Sequence, residues 1–236
     1  MALLKIPLII IDAFNMLLNA TPPNPPPPVA EHLIPDWRER FLRSLSLPCR
    51  LLRAIYYTSG LIEVVVILAS HMPDSSASRF ILSTLVSNAA SLNRIEISYA
   101  FSVGFFLTSL GTFIRLWSYK SLGRLFTFEL HIRPDHQLIV DGPYAFIRHP
   151  SYTGLILSLT GATIIHLSGS WVKESGVLDT PLGCGIAIYW LLGAGAVMLS
   201  LVLRMPNEDR VLRERFGNEW VNWAQRVPHR LVPRLY

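Results

Sequence analysis

Five apolar runs, near 3–18, 52–70, 97–117, 151–168 and 183–203, take up about two-fifths of this 236-residue chain. A helix needs about 20 such residues to cross the hydrocarbon core of a bilayer. Inside that core every backbone N–H and C=O must find its partner within the same helix or a closed barrel. Runs of this length therefore restrict the chain to a bundle of membrane helices. The composition agrees, with 51% hydrophobic residues, 16% charged residues and a mean hydropathy of +0.38. The first run is the shortest and carries Asp12 and Asn15, so it is the weakest of the five as a span. The expected fold is an all-α polytopic membrane protein with about five transmembrane helices and a C-terminal amphipathic helix.

The basic residues orient such a bundle. With five spans, alternate loops fall on opposite sides. Arg38, Arg40, Arg43, Arg50 and Arg53 then share a side with Arg115, Lys120, Arg124, Arg133 and Arg148. The tail adds Arg204, Arg210, Arg213, Arg215, Arg226, Arg230 and Arg234, so 17 of the 21 basic residues lie together. Only Lys5, Arg79, Arg94 and Lys173 remain for the other face. The positive-inside rule assigns the crowded face to the cytosol. The net charge of +5 is thus a topology signal, and no basic stripe interleaved with aromatics points to nucleic acid. A cleaved signal peptide ending near Ala20 is the alternative for the first run, although it would carry the five-arginine loop across the membrane. Cys49 and Cys184 have no pairing or metal-ligand spacing and are expected as free thiols.

Between the runs, the prolines of 21–28 predict a stiff extended spacer. Residues 36–47 have the pattern of a short helix on the cytosolic surface. Glu63 falls within the second run. An acid at membrane depth is either a functional group or an internally bonded residue that fixes helix packing. Gly104 and Gly111 on the third run predict close helix approach, and Arg115, Trp117 and Tyr119 at its end form an interfacial anchor cluster. Alternating side chains at 126–132 suggest a strand. Val211, Leu212, Phe216 and Trp220 have helical spacing, with Gly217 marking a break between two helices.

The densest polar chemistry lies in two blocks. The first, DGPYAFIRHPSYTG at 141–154, opens with Asp141-Gly142-Pro143, a sharp turn. Pro150 then starts the fourth run as the first residue of a helix, whose open N–H groups favour an anionic group. Arg148, His149, Tyr144 and Tyr152 can equally serve as ordinary interfacial anchors. The second block, RMPNED at 204–209, puts Arg204 four residues before Glu208, on one helix face. Pro206 between them predicts a break in the helix.

RHPSYTG, the RxxxE(D/E) pattern some fifty residues on, and the tail FG–x–E–W–x2–W–x3–VP resemble the isoprenylcysteine carboxyl methyltransferases. That resemblance runs over roughly 122–228. It implies polytopic enzymes of the endoplasmic reticulum membrane that use S-adenosylmethionine, with a cofactor pocket on the cytosolic face. Carried over by position, it implies a cofactor site along His136, Gln137, Leu138 and Ile139. Tyr144, His149, Pro150, Ser151 and Tyr152 would continue the site, and Glu208 would close it. Arg204 matches the family's substrate arginine. Two positions depart from the pattern: Asp209 replaces a second glutamate, and Glu129 stands where the family has a glutamine. The implied organisation is an N-terminal membrane region over 1–120 and a methyltransferase core over 121–236.

The implied substrate is a protein C-terminus ending in a prenylated cysteine, presented at the lipid bilayer. Its α-carboxyl, with a pKa of about 3.5, is already an anion at neutral pH, so methylation needs no general base. RHPxY alone also resembles phospholipid N-methyltransferases and sterol reductases. An amine acceptor arrives as an ammonium that must lose a proton, and a facing arginine would be counterproductive for a cationic acceptor, so Arg204 favours a carboxylate. A small membrane scaffold or transporter is the reading outside enzymes, but the paired halves common in transporters are absent from the sequence.

Overall fold

The computed structural model describes residues 2–25, 40, 41, 44–87, 89–128 and 136–233. The chain folds into α1 (Lys5–Ala20), α2 (Ser46–Ser70), α3 (Ser76–Leu85), α4 (Tyr99–Leu122), α5 (Pro150–His166), α6 (Trp171–Glu174), α7 (Pro181–Phe216) and α8 (Asn218–Arg226), with short 3-10 turns between them. No strand forms among the described residues. The alternation at 126–132 produces none over 126–128, and 129–132 lie outside the described residues, as does Glu129. Residues 26–28 of the proline spacer and residues 36–39, 42 and 43 of the expected surface helix also lie outside them.

The protein is an all-α polytopic membrane protein. Among the described residues, four helical segments are long and apolar enough to cross a membrane: Ala2–Ala20, Ser46–Ser70, Tyr99–Leu125 and Pro181–Phe216. The first run, weakest in sequence, is among them. The fourth run does start a helix at Pro150, but α5 is 17 residues long. At 1.5 Å per residue it reaches about 25 Å, short of a hydrocarbon core of about 30 Å. Among the described residues, four helices of full spanning length and the shorter α5 thus correspond to the five apolar runs.

The chain divides into two compact units. The first comprises 1–16, 47–109 and 158–195. Its core is Val66, Ile67, Val86, Ile95 and Trp171. Here the polar residues of the apolar runs find partners. Lys5 Nζ lies 2.6 Å from Glu63 Oε1 and donates to the Gly169 carbonyl at 2.6 Å. Glu63 Oε2 accepts from the Trp171 backbone N–H at 3.1 Å. Of the two readings of Glu63, this arrangement is the packing one. Asp12 accepts hydrogen bonds from Tyr56 and from Thr108, and Asn15 donates to Ser109 at 3.2 Å. A polar atom on a membrane helix is tolerated when another helix satisfies it, which is why these residues do not exclude α1 as a span. In this unit a Cβ on Gly161 would lie 2.5 Å from the Gly104 carbonyl oxygen, so α4 and α5 touch backbone to backbone, as Gly104 predicted.

The second unit comprises 17–46, 110–157 and 196–236. Tyr144, Trp220, Trp223 and Val227 form its buried cluster, and Leu122, Leu138, Ile139, Leu212 and Phe216 pack against it. Gly217 has φ +55° and separates α7 from α8, the break its position suggested. Pro206 does not break α7, which runs through it without interruption. A proline removes one i→i−4 bond and can kink a helix, but thirty-six residues of otherwise apolar and helix-forming sequence carry it. Arg115 also departs from expectation. It is buried at 5% exposure and is no interfacial anchor, whereas neighbouring Trp117 stays exposed.

Candidate active site

All of the candidate site residues belong to the second unit. The site begins at a turn. Gly142 has φ +62°, and a Cβ there would lie 2.5 Å from Ser121 Oγ, so only glycine fits both the angle and the space. The turn delivers Tyr144 into the interior, where its carbonyl accepts from Trp223 Nε1 at 3.1 Å. Burial, and then the negative charge of Glu208, push the Tyr144 phenol well above its ordinary range. It therefore stays a neutral hydroxyl.

The RHPSY segment is tied to the C-terminal tail. The backbone N–H groups of Arg148 and His149 donate to the His229 and Arg230 carbonyls, each at 2.9 Å. Thr153 Oγ1 donates to the Leu231 carbonyl at 2.7 Å. Asp209 locks this joint. Its Oδ2 lies 3.1 Å from Arg148 NH1 and 3.0 Å from Arg230 Nε, and its Oδ1 lies 3.1 Å from His149 Nε2. An ionised carboxylate only accepts, so the geometry assigns a proton to His149 Nε2. Asp209 is the group the sequence undervalued. Its shorter arm counts against a ligand-facing role, yet it suits a buried hub reached by three longer side chains.

Glu208, one residue earlier on α7, points elsewhere. Tyr152 Oη donates to its Oε2 at 2.5 Å, and His149 Nδ1 stands 3.9 Å from its Oε1. The His149 and Tyr152 rings stack, 5.3 Å between centroids and 11° apart. Arg204 Nε lies 3.9 Å from Glu208 Oε2, too far for a hydrogen bond. A simple i,i+4 pair is therefore not what holds either side chain. Arg204 NH1 instead donates to the Phe128 carbonyl at 2.5 Å, which anchors one end of the guanidinium.

The structure thus brings Arg204, Glu208, His149 and Tyr152 together at one place. The charge of Glu208 reaches the Tyr144 phenol, Leu138 and Ile139 pack against the tryptophan cluster that contains Tyr144, and the His136 ring lies 6.0 Å from that of Phe216. Gln137 is exposed. Pro150 is fully buried, and Ser151 turns toward Arg115, whose NH1 donates to its carbonyl at 3.1 Å and its Oγ at 3.0 Å. Sequence reasoning singled out neither Arg115 nor Arg230 for the site. Arg230 pairs with an aspartate 21 residues earlier, a separation with no helical periodicity to betray it.

Residues 103–172 match the isoprenylcysteine carboxyl methyltransferase (ICMT) family. The chain is 29% identical over 127 residues to protein-S-isoprenylcysteine O-methyltransferase B of Arabidopsis thaliana, covering 53% of this chain and 55% of that protein. It is 29% identical over 133 residues to a probable protein-S-isoprenylcysteine O-methyltransferase of Oryza sativa subsp. indica, covering 53% and 57%. It is also 27% identical over 101 residues to a delta(14)-sterol reductase of Mus musculus, covering 42% of this chain and 20% of that protein. The chain spans about half the length of the plant relatives it matches. The turn at Gly142 and the RHPSY block lie inside the matched residues, so this part of the chain is similar to the isoprenylcysteine carboxyl methyltransferase family.

Proposed function

We propose that the protein methylates the α-carboxylate of a C-terminal prenylated cysteine, with S-adenosylmethionine as donor. The supporting observation is the pairing of opposite tasks on one turn of α7. Arg204 is pinned through NH1 by the Phe128 carbonyl, while Glu208, four residues on, is held by Tyr152 of the RHPSY segment. A fixed cation and a fixed anion side by side suit an anionic acceptor and a cationic donor.

The residues present fit that donor. Glu208 keeps 24% of its side chain exposed beside the stacked His149 and Tyr152 rings, a setting that favours an ammonium or sulfonium. Leu138 and Ile139 on the tryptophan cluster offer an apolar shelf. When bound, S-adenosylmethionine supplies a methyl group on a positively charged sulfur. The protein's own task is to align and desolvate. Methyl transfer to a carboxylate destroys charge on both partners, so proximity and orientation carry the rate. Arg204 would hold the carboxylate oxygens in one plane, without a grip so tight that the ground state gains more than the transition state. We assign this chemistry to the core over 121–236. The family likeness supports an endoplasmic reticulum protein, and the basic bias supports a tail and 120–149 loop that face the cytosol.

A phospholipid N-methyltransferase is the second reading. Arg204 counts against it, because a guanidinium beside the acceptor disfavours an ammonium before it loses its proton. The likeness to a sterol reductase extends over a fifth of that protein. Membranes containing the protein, given labelled S-adenosylmethionine with N-acetyl-S-farnesylcysteine and separately with phosphatidylethanolamine, test the proposal. Label on the farnesylcysteine ester is the expected result. Label on the lipid alone, or on neither, would overturn it.

A further inference from the structure

Arg115 is a buried cation of the second unit, 5% exposed. Its NH1 donates twice to Ser151, at 3.1 Å to the carbonyl and 3.0 Å to Oγ, and its Nε donates to the Asn19 carbonyl at 3.2 Å. The rings of Tyr119 and Phe128 cover it at 5.3 and 5.2 Å. A buried guanidinium is costly unless its donors are satisfied, and here three bonds and two rings do so. The helix seam beside it leaves no slack. A Cβ on Gly154 would lie 2.6 Å from the Gly111 carbonyl and 3.1 Å from the Arg115 backbone nitrogen.

Arg115 therefore touches the supports of both halves of the site. Ser151 lies in the first turn of the helix that carries Tyr152, the partner of Glu208. Phe128, whose ring covers Arg115, lends its carbonyl to Arg204. We infer that Arg115 is a positioning residue, which fixes the start of α5 against the segment that pins Arg204. The planar fork matters, because a lysine cannot reach the Ser151 carbonyl, Ser151 Oγ and the Asn19 carbonyl in one fixed geometry. This inference rests on the proposed methyl transfer for its effect on rate, but not for its effect on the ligand-free protein.

Arg115→Lys in the full chain, in detergent, provides the test through two readouts. In ligand-free protein, hydrogen–deuterium exchange at the amides of 152–155 is expected to quicken on the order of tenfold, as a local opening, while 183–190 exchange as in wild type. In the farnesylcysteine assay, kcat per bound donor is expected to fall by about 10²-fold, the scale of an ångström-level misplacement. The dissociation constant for S-adenosylmethionine should stay within about threefold, since the loss is of transition-state alignment. Unchanged exchange over 152–155 overturns the inference even if the wild type methylates no carboxylate, the result that would sink the functional reading alone. In an active wild type, unchanged kcat in Arg115→Lys overturns it too. Should the lysine variant fail to fold, Phe128→Leu keeps the carbonyl and removes only the covering ring. It is expected to lower kcat several-fold by the same route, and wild-type turnover there overturns the link between Arg115 and Arg204.

Discussion

Replacing Asp209 by alanine removes one carboxylate and strands three partners. Arg148, Arg230 and His149 all meet it within 3.1 Å, and its side chain is only 7% exposed. Such a group gains little from solvent once its partners are gone. Breaking a buried ion pair from one side costs about 3–5 kcal/mol, because the remaining charge is left uncompensated. Arg230, at 29% exposure, can turn toward water and relieve part of that. Arg148 is 11% exposed and His149 3%, and neither has that escape. About 3 kcal/mol is therefore the expected loss for Asp209→Ala. For a chain of this length it lowers the melting temperature by roughly 6–12 °C. Asp209→Asn keeps an acceptor oxygen and the shape, so it should lose roughly half as much. Intrinsic tryptophan fluorescence in detergent reads the transition, because Trp220 and Trp223 lie in the cluster beside the joint. A melting temperature within a degree or two of wild type for Asp209→Ala would refute the reasoning. Asp209 would then be an ordinary surface acid and the tail strap a weak contact.

Glu208→Gln should abolish S-adenosylmethionine binding, measured by calorimetry, while changing the melting temperature little, since the side chain is partly exposed; intact binding would place the donor elsewhere. Glu63→Leu should destabilise the protein by about 3–5 kcal/mol by stranding Lys5, whereas the pair Lys5→Met with Glu63→Leu should recover most of that loss. Equal melting of single and double variants would contradict this account of the pair. Gly161→Ala should cost about 1–3 kcal/mol, because its Cβ meets a backbone oxygen that cannot step aside. An unchanged melting temperature would mean that the α4–α5 seam is looser than the structure has it.

The membrane class, the turn at Gly142, the start of α5 at Pro150 and the break at Gly217 were all legible in sequence. Each depends on a local rule: apolar run length, backbone freedom, a missing N–H. The meeting of Arg204, Glu208, His149 and Tyr152 was legible through the two motifs and the apolar runs between them. Pro206 misled, because a proline's local cost is set against a 36-residue helix, apolar before Arg204 and rich in helix-forming charged residues after Pro206. Arg115 misled for a related reason. At the end of an apolar run it reads as an anchor, and only the Gly111–Gly154 contact reveals that another helix lies over it. The role of Asp209 depends on Arg148 and Arg230, which approach from elements distant in the chain, and sequence spacing carries no record of that.

Carboxylate methylation by this protein depends on Arg204 as the residue that orients the acceptor. Turnover of N-acetyl-S-farnesylcysteine, normalised to bound S-adenosylmethionine, should be measured for Arg204→Ala and Arg204→Lys. Alanine is expected to lower kcat by about 10²-fold or more, the scale for losing an electrostatic contact at a reacting group. Lysine is expected to recover only part of it, because a point charge cannot hold two oxygens in one plane. Donor affinity should barely change in either. Full turnover in the lysine variant, with alanine reducing only the yield of folded protein, would make Arg204 a helix-end anchor and contradict the account.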